Sequence, residues 1–167
     1  GRRPCVAGNP ATIYLAGART SLVRFNRIRG ATHGTSTDPS CHPPNAKGVY
    51  LIGSHDNHVH NNEISEAGLG IGIKRTSYNN IFELNFIRDV QHEGIGLGST
   101  GCSPETAPIC ATHTNIVRNN IIVRADVGVG AIAVPAPTFF DNHLYNNTLF
   151  LVGSGIVRGE EAFADTN

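Results

Sequence analysis

The chain has 167 residues, a formal net charge of zero and a sequence pI of about 7.2. That length fits one domain with a real core, and the absence of any block of like charge argues against nucleic acid or an anionic membrane as partner. No apolar run approaches the roughly 18 residues that a spanning helix needs, so no membrane span is expected.

The predicted elements are strands, and they recur. In chain order the segments LVRFNRI, HVHNNEI, IFELNFI, IVRNNII and HLYNNTL repeat one frame, anchored on Asn26, Asn62, Asn85, Asn120 and Asn147. Three residues before each anchor stands Val23, Val59, Phe82, Val117 or Leu144, and two residues after it Ile28, Ile64, Ile87, Ile122 or Leu149. Five before it stands Ser21, Asn57, Asn80, Asn115 or Asn142. The anchors are 36, 23, 35 and 27 residues apart. A fixed frame at irregular spacing predicts stacked coils with loops of varying length, the pattern of a parallel β-helix.

Each coil divides into three strands. The first carries an apolar pair: Ile13 and Leu15, Val49 and Leu51, Ile71 and Ile73, Ile95 and Leu97, Ile132 and Val134. The second runs up to the anchor and the third follows it. Alternation fixes which side chains point inward, because a slip of one residue inverts every face. No stretch holds a 3.6-residue period, so no helix is predicted. Asparagine suits the turns because it tolerates the left-handed backbone and bonds nearby backbone groups. In stacked coils it also meets its equivalent above and below, roughly 4.7–4.9 Å away.

Two Gly- and Pro-rich insertions, Gly30 to Gly48 and Gly98 to Thr112, interrupt the coils, and such loops on a rigid scaffold are where function sits. CVAGNPATIYLAG from Cys5 aligns without a gap with CHPPNAKGVYLIG from Cys41, which superposes Tyr14 on Tyr50 and Gly17 on Gly53. Equivalent positions on adjacent coils lie about 5 Å apart, within disulfide range, so Cys5 is expected to pair with Cys41 and Cys102 with Cys110. Disulfides imply an oxidising, extracellular setting, secreted or at the cell surface. Without CxxC spacing the cysteines do not suggest zinc, and no metal site is assigned.

The phrases GVYLIGSHDNHVHNNEISEAG and GIGIKRTSYNNIFELNFIRDV resemble the coil repeat of the right-handed parallel β-helix proteins, the pectate-lyase-like superfamily. The resemblance covers Ile13 to Val157. It implies an all-β fold, a right-handed parallel β-helix of about five to six coils with two insertions. The domain would span residues 1–167, alone or as part of a longer solenoid. It also implies an extracellular protein that acts on or binds acidic polysaccharide in a lyase- or epimerase-like way. Calcium enters as a cofactor by family analogy only. The alternative is a noncatalytic structural, fibre-forming or glycan-binding module that associates end to end.

Four constellations could carry chemistry. Lys74 and Arg75, in GIGIKRTS, end the first strand of the third coil, between the two insertions. Elimination from a uronate needs a base for the C5 proton and a cation at the carboxylate, and lysine and arginine suit those roles. Arg24, His60, Glu83, Arg118 and Tyr145 should form an outward column able to bind sugars, with Tyr50 as a further substrate contact; a solvated face of cross-strand charge pairs is the other reading. In HDNHVH, His58 and His60 should face outward beside Glu83, two imidazoles and a carboxylate that could take a metal. His92, Glu93 and His113 could supply an acid near the insertions. Asn146, Asn147 and Thr148 form a glycosylation sequon, but Asn146 is expected to point inward.

Overall fold

The structure is a computed structural model that describes residues 11–31, 46–98, 111–132 and 139–159. All four cysteines, Val134 and most of both insertions fall outside those residues, so the predicted disulfides do too. None of the described residues is helical.

Three parallel sheets run the length of the stack. Sheet I takes one long strand from each coil: β1 (Ala11–Ala16), β4 (Lys47–Ile52), β7 (Leu69–Lys74), β10 (Glu93–Gly98), β14 (Val127–Ile132) and β18 (Ser154–Gly159). Sheet II is built from β2 (Leu22–Arg24), β5 (His58–His60), β8 (Ile81–Glu83), β12 (Ile116–Arg118) and β16 (His143–Tyr145). Sheet III is built from β3 (Arg27–Arg29), β6 (Glu63–Ser65), β9 (Phe86–Arg88), β13 (Ile121–Val123) and β17 (Thr148–Phe150). A short pair, β11 (Thr112–His113) with β15 (Phe139–Phe140), adds pairing at the corner between sheets I and II. Each strand pairs with its equivalent one coil away, which is the parallel β-helix expected from the repeat.

The core is the set of columns that the repeat predicts. Val59, Phe82 and Val117 from sheet II meet Ile64, Ile87 and Ile122 from sheet III and Val49, Ile71 and Ile95 from sheet I, all fully buried. One register expectation is corrected. Ile95 pairs with Val129 and Leu97 with Ala131, so Val129 and Ala131 continue those two columns, and Ile132 pairs with Gly98. The alignment of the first two coils holds, with Tyr14 opposite Tyr50.

Two asparagine ladders close the corners on either side of sheet II. In one, the backbone N–H and side-chain amide of Asn62 both donate to Asn85 Oδ1, at 3.1 and 2.9 Å, and Asn85 donates likewise to Asn120. In the other, Asn57 donates to Asn80, Asn80 to Asn115 and Asn115 to Asn142; Ser21 takes the first rung. Each rung satisfies buried backbone that an apolar side chain would leave bare. The residue before each rung is left-handed: Asn61, Leu84 and Asn119 on one ladder, Asp56, Asn79 and Thr114 on the other. The ladder therefore fixes the turn even where leucine must adopt it.

Sheet I turns inward at a glycine column. A Cβ on Gly70 would stand 2.3 Å from Gly94 O and 2.7 Å from Ile87 Cγ2; Gly48, Gly94 and Gly128 face comparable obstacles. Two successive positions, such as Gly48 and Val49, thus face the core, and strict alternation is broken there. As a result Lys47 and Tyr50, three apart, both lie on the outer face.

Candidate functional site

Most of the segments the structure leaves undescribed adjoin sheet I. Residues 32–45 precede β4, residues 99–110 follow β10 and residues 133–138 follow β14. The outer face of this sheet is unlike that of an ordinary solvated strand. Lys47 is 2% exposed and Glu93 9%, and Tyr50 and Leu69 are buried with them. Lys47, Leu69 and Glu93 descend from one column, with Lys47 paired to Leu69 in register. Gly72, Gly96 and Gly130 form the neighbouring column, and the side chains of Lys47, Tyr50, Leu69 and Glu93 lie over it. Lys47 Nζ stands 4.8 Å from the Tyr50 ring centroid, and Tyr50 stacks on Tyr14 at 5.6 Å. Tyr14 is 55% exposed, an aromatic surface at the first coil of the same face that sequence reasoning did not single out.

Lys74 is the last residue of β7 and half-buried, while Arg75 is exposed in the turn beyond, with φ +43. At this corner the two preceding coils carry the left-handed glycines Gly17 and Gly53, so Arg75 holds a conformation that glycine adopts without strain. Ser77 Oγ donates to Lys74 O at 2.6 Å and fixes the turn. Both lysines of the chain thus lie on the outer face of sheet I, at opposite ends of adjacent strands.

Sheet II presents the expected column, with Arg24 opposite His60, His60 opposite Glu83, Glu83 opposite Arg118 and Arg118 opposite Tyr145. Its polar groups are bonded to each other. Arg118 Nε donates to Glu83 Oε2 at 2.6 Å and Nη1 to Tyr145 Oη at 3.0 Å; His58 Nε2 lies 2.8 Å from Glu83 Oε1. Burial pushes the Glu83 carboxyl up, but the bonds from Arg118 and His58 together hold it below the usual carboxylate range. His60 Nδ1 lies 2.7 Å from Asn61 Oδ1, and its ring packs 4.2 Å from that of His58. Arg24 lies over the Phe25 ring at 5.7 Å. This is the cross-strand pairing that stabilises a sheet face.

Among the described residues no group of three or more His, Cys, Asp or Glu is placed to hold a metal ion. Among the described residues the carboxylates do not form a calcium cradle either: Asp89 is held by Arg124 and Arg88, Glu63 by Arg27 and Arg88, Glu66 by Arg29. Calcium ligation needs several oxygens converging on one point, which these arginine-paired carboxylates do not offer.

His113 does not join His92 and Glu93. Glu93 opens β10, whereas His113 lies past the far end of that strand, roughly 16 Å of extended chain away. His113 instead joins a ring stack, 5.0 Å from Tyr78, which stacks at 4.5 Å on His55. Burial lowers the His113 pKa, against the opposing charge of Asp141. Asn146 is also corrected. It is exposed in a left-handed turn (φ +54), and Asn147 is the residue that points into the ladder, because the turn residue always precedes the rung.

The repeat, the three parallel sheets and the paired ladders define a right-handed β-helix. A model of the right-handed beta helix region family matches residues 6–149, and the chain belongs to that family. No curated protein and no solved structure matches it. Among the described residues no helix is long and apolar enough to cross a membrane.

Proposed function

We propose that this protein is an extracellular β-helix that binds acidic polysaccharide along the outer face of sheet I, and that Lys74 and Arg75 act there as a lyase pair. The observation that carries this reading is the placement of both lysines, Lys47 and Lys74, on that one face. They stand at opposite ends of adjacent strands, about 17 Å apart along the strand direction. That separation suits an extended polyanion rather than a small anion. The Tyr14–Tyr50 stack adds an aromatic surface on the same side, and in sequence the insertions run into β4 and out of β10.

In the lyase step the Lys74 amine takes the C5 proton of a uronate unit. The C–H electron pair forms the C4–C5 double bond, and the C4–O bond breaks, the departing oxygen being protonated from water. Arg75 pairs with the uronate carboxylate and stabilises the charge that develops on it. Incubation with a panel of uronic-acid polysaccharides, followed by ultraviolet absorbance of the unsaturated product, tests this. Turnover that disappears in Lys74→Ala, with folding intact, supports the reading; turnover retained in that variant removes Lys74 as the base.

A second reading, a noncatalytic module that stacks end to end, draws on the last coil. Ile156 belongs to an inward column whose members Val129 and Ile95 are fully buried, yet it is 62% exposed. Concentration-dependent assembly without turnover on any substrate favours that reading.

A further inference from the structure

We infer that Glu93 is a ligand-binding residue that accepts hydrogen bonds from a neutral, hydroxyl-bearing sugar unit, so the polysaccharide is a mixed polymer and not a homopolymer of uronate. The inference rests on the glycan reading above and deepens it.

Glu93 is more than nine-tenths buried, on an outward position of β10. Among the described residues its carboxylate has neither a hydrogen-bond nor an ion-pair partner. The other shielded carboxylate, Glu83, is met by Arg118 and His58. Burying a charge without a partner is costly, and a ligand with hydroxyl donors would supply the hydrogen bonds that the described residues do not. No wholly sealed side-chain polar atom among the described residues lacks a partner, so the Glu93 oxygens still reach the surface.

The floor beneath it is side-chain-free. A Cβ on Gly130 would lie 2.8 Å from Glu93 Cγ and 3.3 Å from Oε1, so glycine there is what lets the Glu93 chain lie flat along the sheet. Leu69, with its methyl groups over Gly72 and Gly96, separates Glu93 from Lys47. Lys47 and Glu93 are two coils apart, roughly 9.5 Å. A chain that puts a carboxylate near Lys47 or Lys74 must not put another at Glu93, because like charges repel there in a shielded setting. A unit with hydroxyl donors meets the requirement, since an ionised carboxylate only accepts.

The test compares two probes by calorimetric titration: oligogalacturonate, in which every unit is charged, and hyaluronan oligosaccharides, in which uronate alternates with a neutral unit. The wild-type chain is expected to prefer the alternating probe. Glu93→Gln should weaken that probe about 10-fold while oligogalacturonate is unchanged or gains. Gly130→Ala keeps the carboxylate but displaces it, and should lose the preference in the same way. Glu63→Gln, on the outer face of sheet III, should bind both probes as wild type does. Thermal unfolding checks that each variant folds. An unaltered ratio of the two affinities in folded Glu93→Gln overturns the role of Glu93 and leaves the glycan reading standing. Binding of neither probe by the wild-type chain overturns both.

Discussion

The outer faces of sheets I and II carry similar residue types and resolve them in opposite ways. On sheet II, Glu83, Arg118, Tyr145 and His58 satisfy one another through short bonds across four coils. A ligand there must break those bonds before making its own. On sheet I, Lys47 and Glu93 are more deeply buried, yet among the described residues the Glu93 carboxylate has no hydrogen-bond or ion-pair partner. The lesson is that a column of charged side chains is not by itself a binding surface; what matters is whether the fold has already used their hydrogen-bonding capacity.

The backbone explains how this difference arises. Three-residue strands in sheet II alternate cleanly, so their two outward residues sit beside equivalents in the next coil and pair with them. Sheet I strands bend at a glycine, which crowds Lys47 and Tyr50 onto one side and leaves a glycine strip beneath them. The largest expected effect tests that bend. Gly70→Ala should cost about 3 kcal/mol, because its Cβ meets backbone that cannot yield, and urea unfolding measures it. A loss below about 0.5 kcal/mol would mean the bend is not imposed by glycine.

A smaller effect sharpens the contrast on the other face. Arg118→Ala should lower stability by about 1 kcal/mol or less, as for partly exposed ion pairs, and leave glycan affinity unchanged. A tenfold loss of affinity in that variant would move the binding surface to sheet II.

The smallest effect lies on sheet III, in the Asp89 cluster. The hydrogen bond from Arg124, with a further one from Arg88, outweighs burial and holds the Asp89 carboxyl at about 2, below its ordinary 3.8. A depressed carboxylate pKa contributes stability that is present above pH 3.8 and is lost as pH falls toward 2. The pair is exposed, so Asp89→Asn should remove only a few tenths of a kcal/mol at pH 7, and the difference from wild type should shrink through that acid window. An unchanged difference across the window would show that the ion pair adds nothing.

The coil repeat was legible because each ladder asparagine does two local jobs, turning the chain and bonding the next coil, and so recurs at one frame position. The inward glycine column was written as plainly in KGV, LGI, EGI, VGV and SGI. It escaped because hydrophobic patterning follows side chains and glycine has none. That omission also explains the misplaced pair in the fifth coil: without Gly128 as a marker, the more apolar Ile132 and Val134 displaced Val129 and Ala131. At the site, sequence order placed Lys74, Arg75 and the sheet II column correctly along the coils. It gave no sign that Glu93 is buried, since outward strand positions are expected to be solvated, or that Glu83 is already bonded to its neighbours.

The central claim is that the ligand lies on sheet I. The most direct measurement is amide chemical-shift mapping of the labelled chain titrated with hyaluronan oligosaccharides. The account predicts shifts concentrated in β4, β7 and β10, around Lys47, Lys74 and Glu93. Shifts concentrated in β8, β12 and β16, around Glu83 and Arg118, or none on any strand at saturating probe, would contradict it.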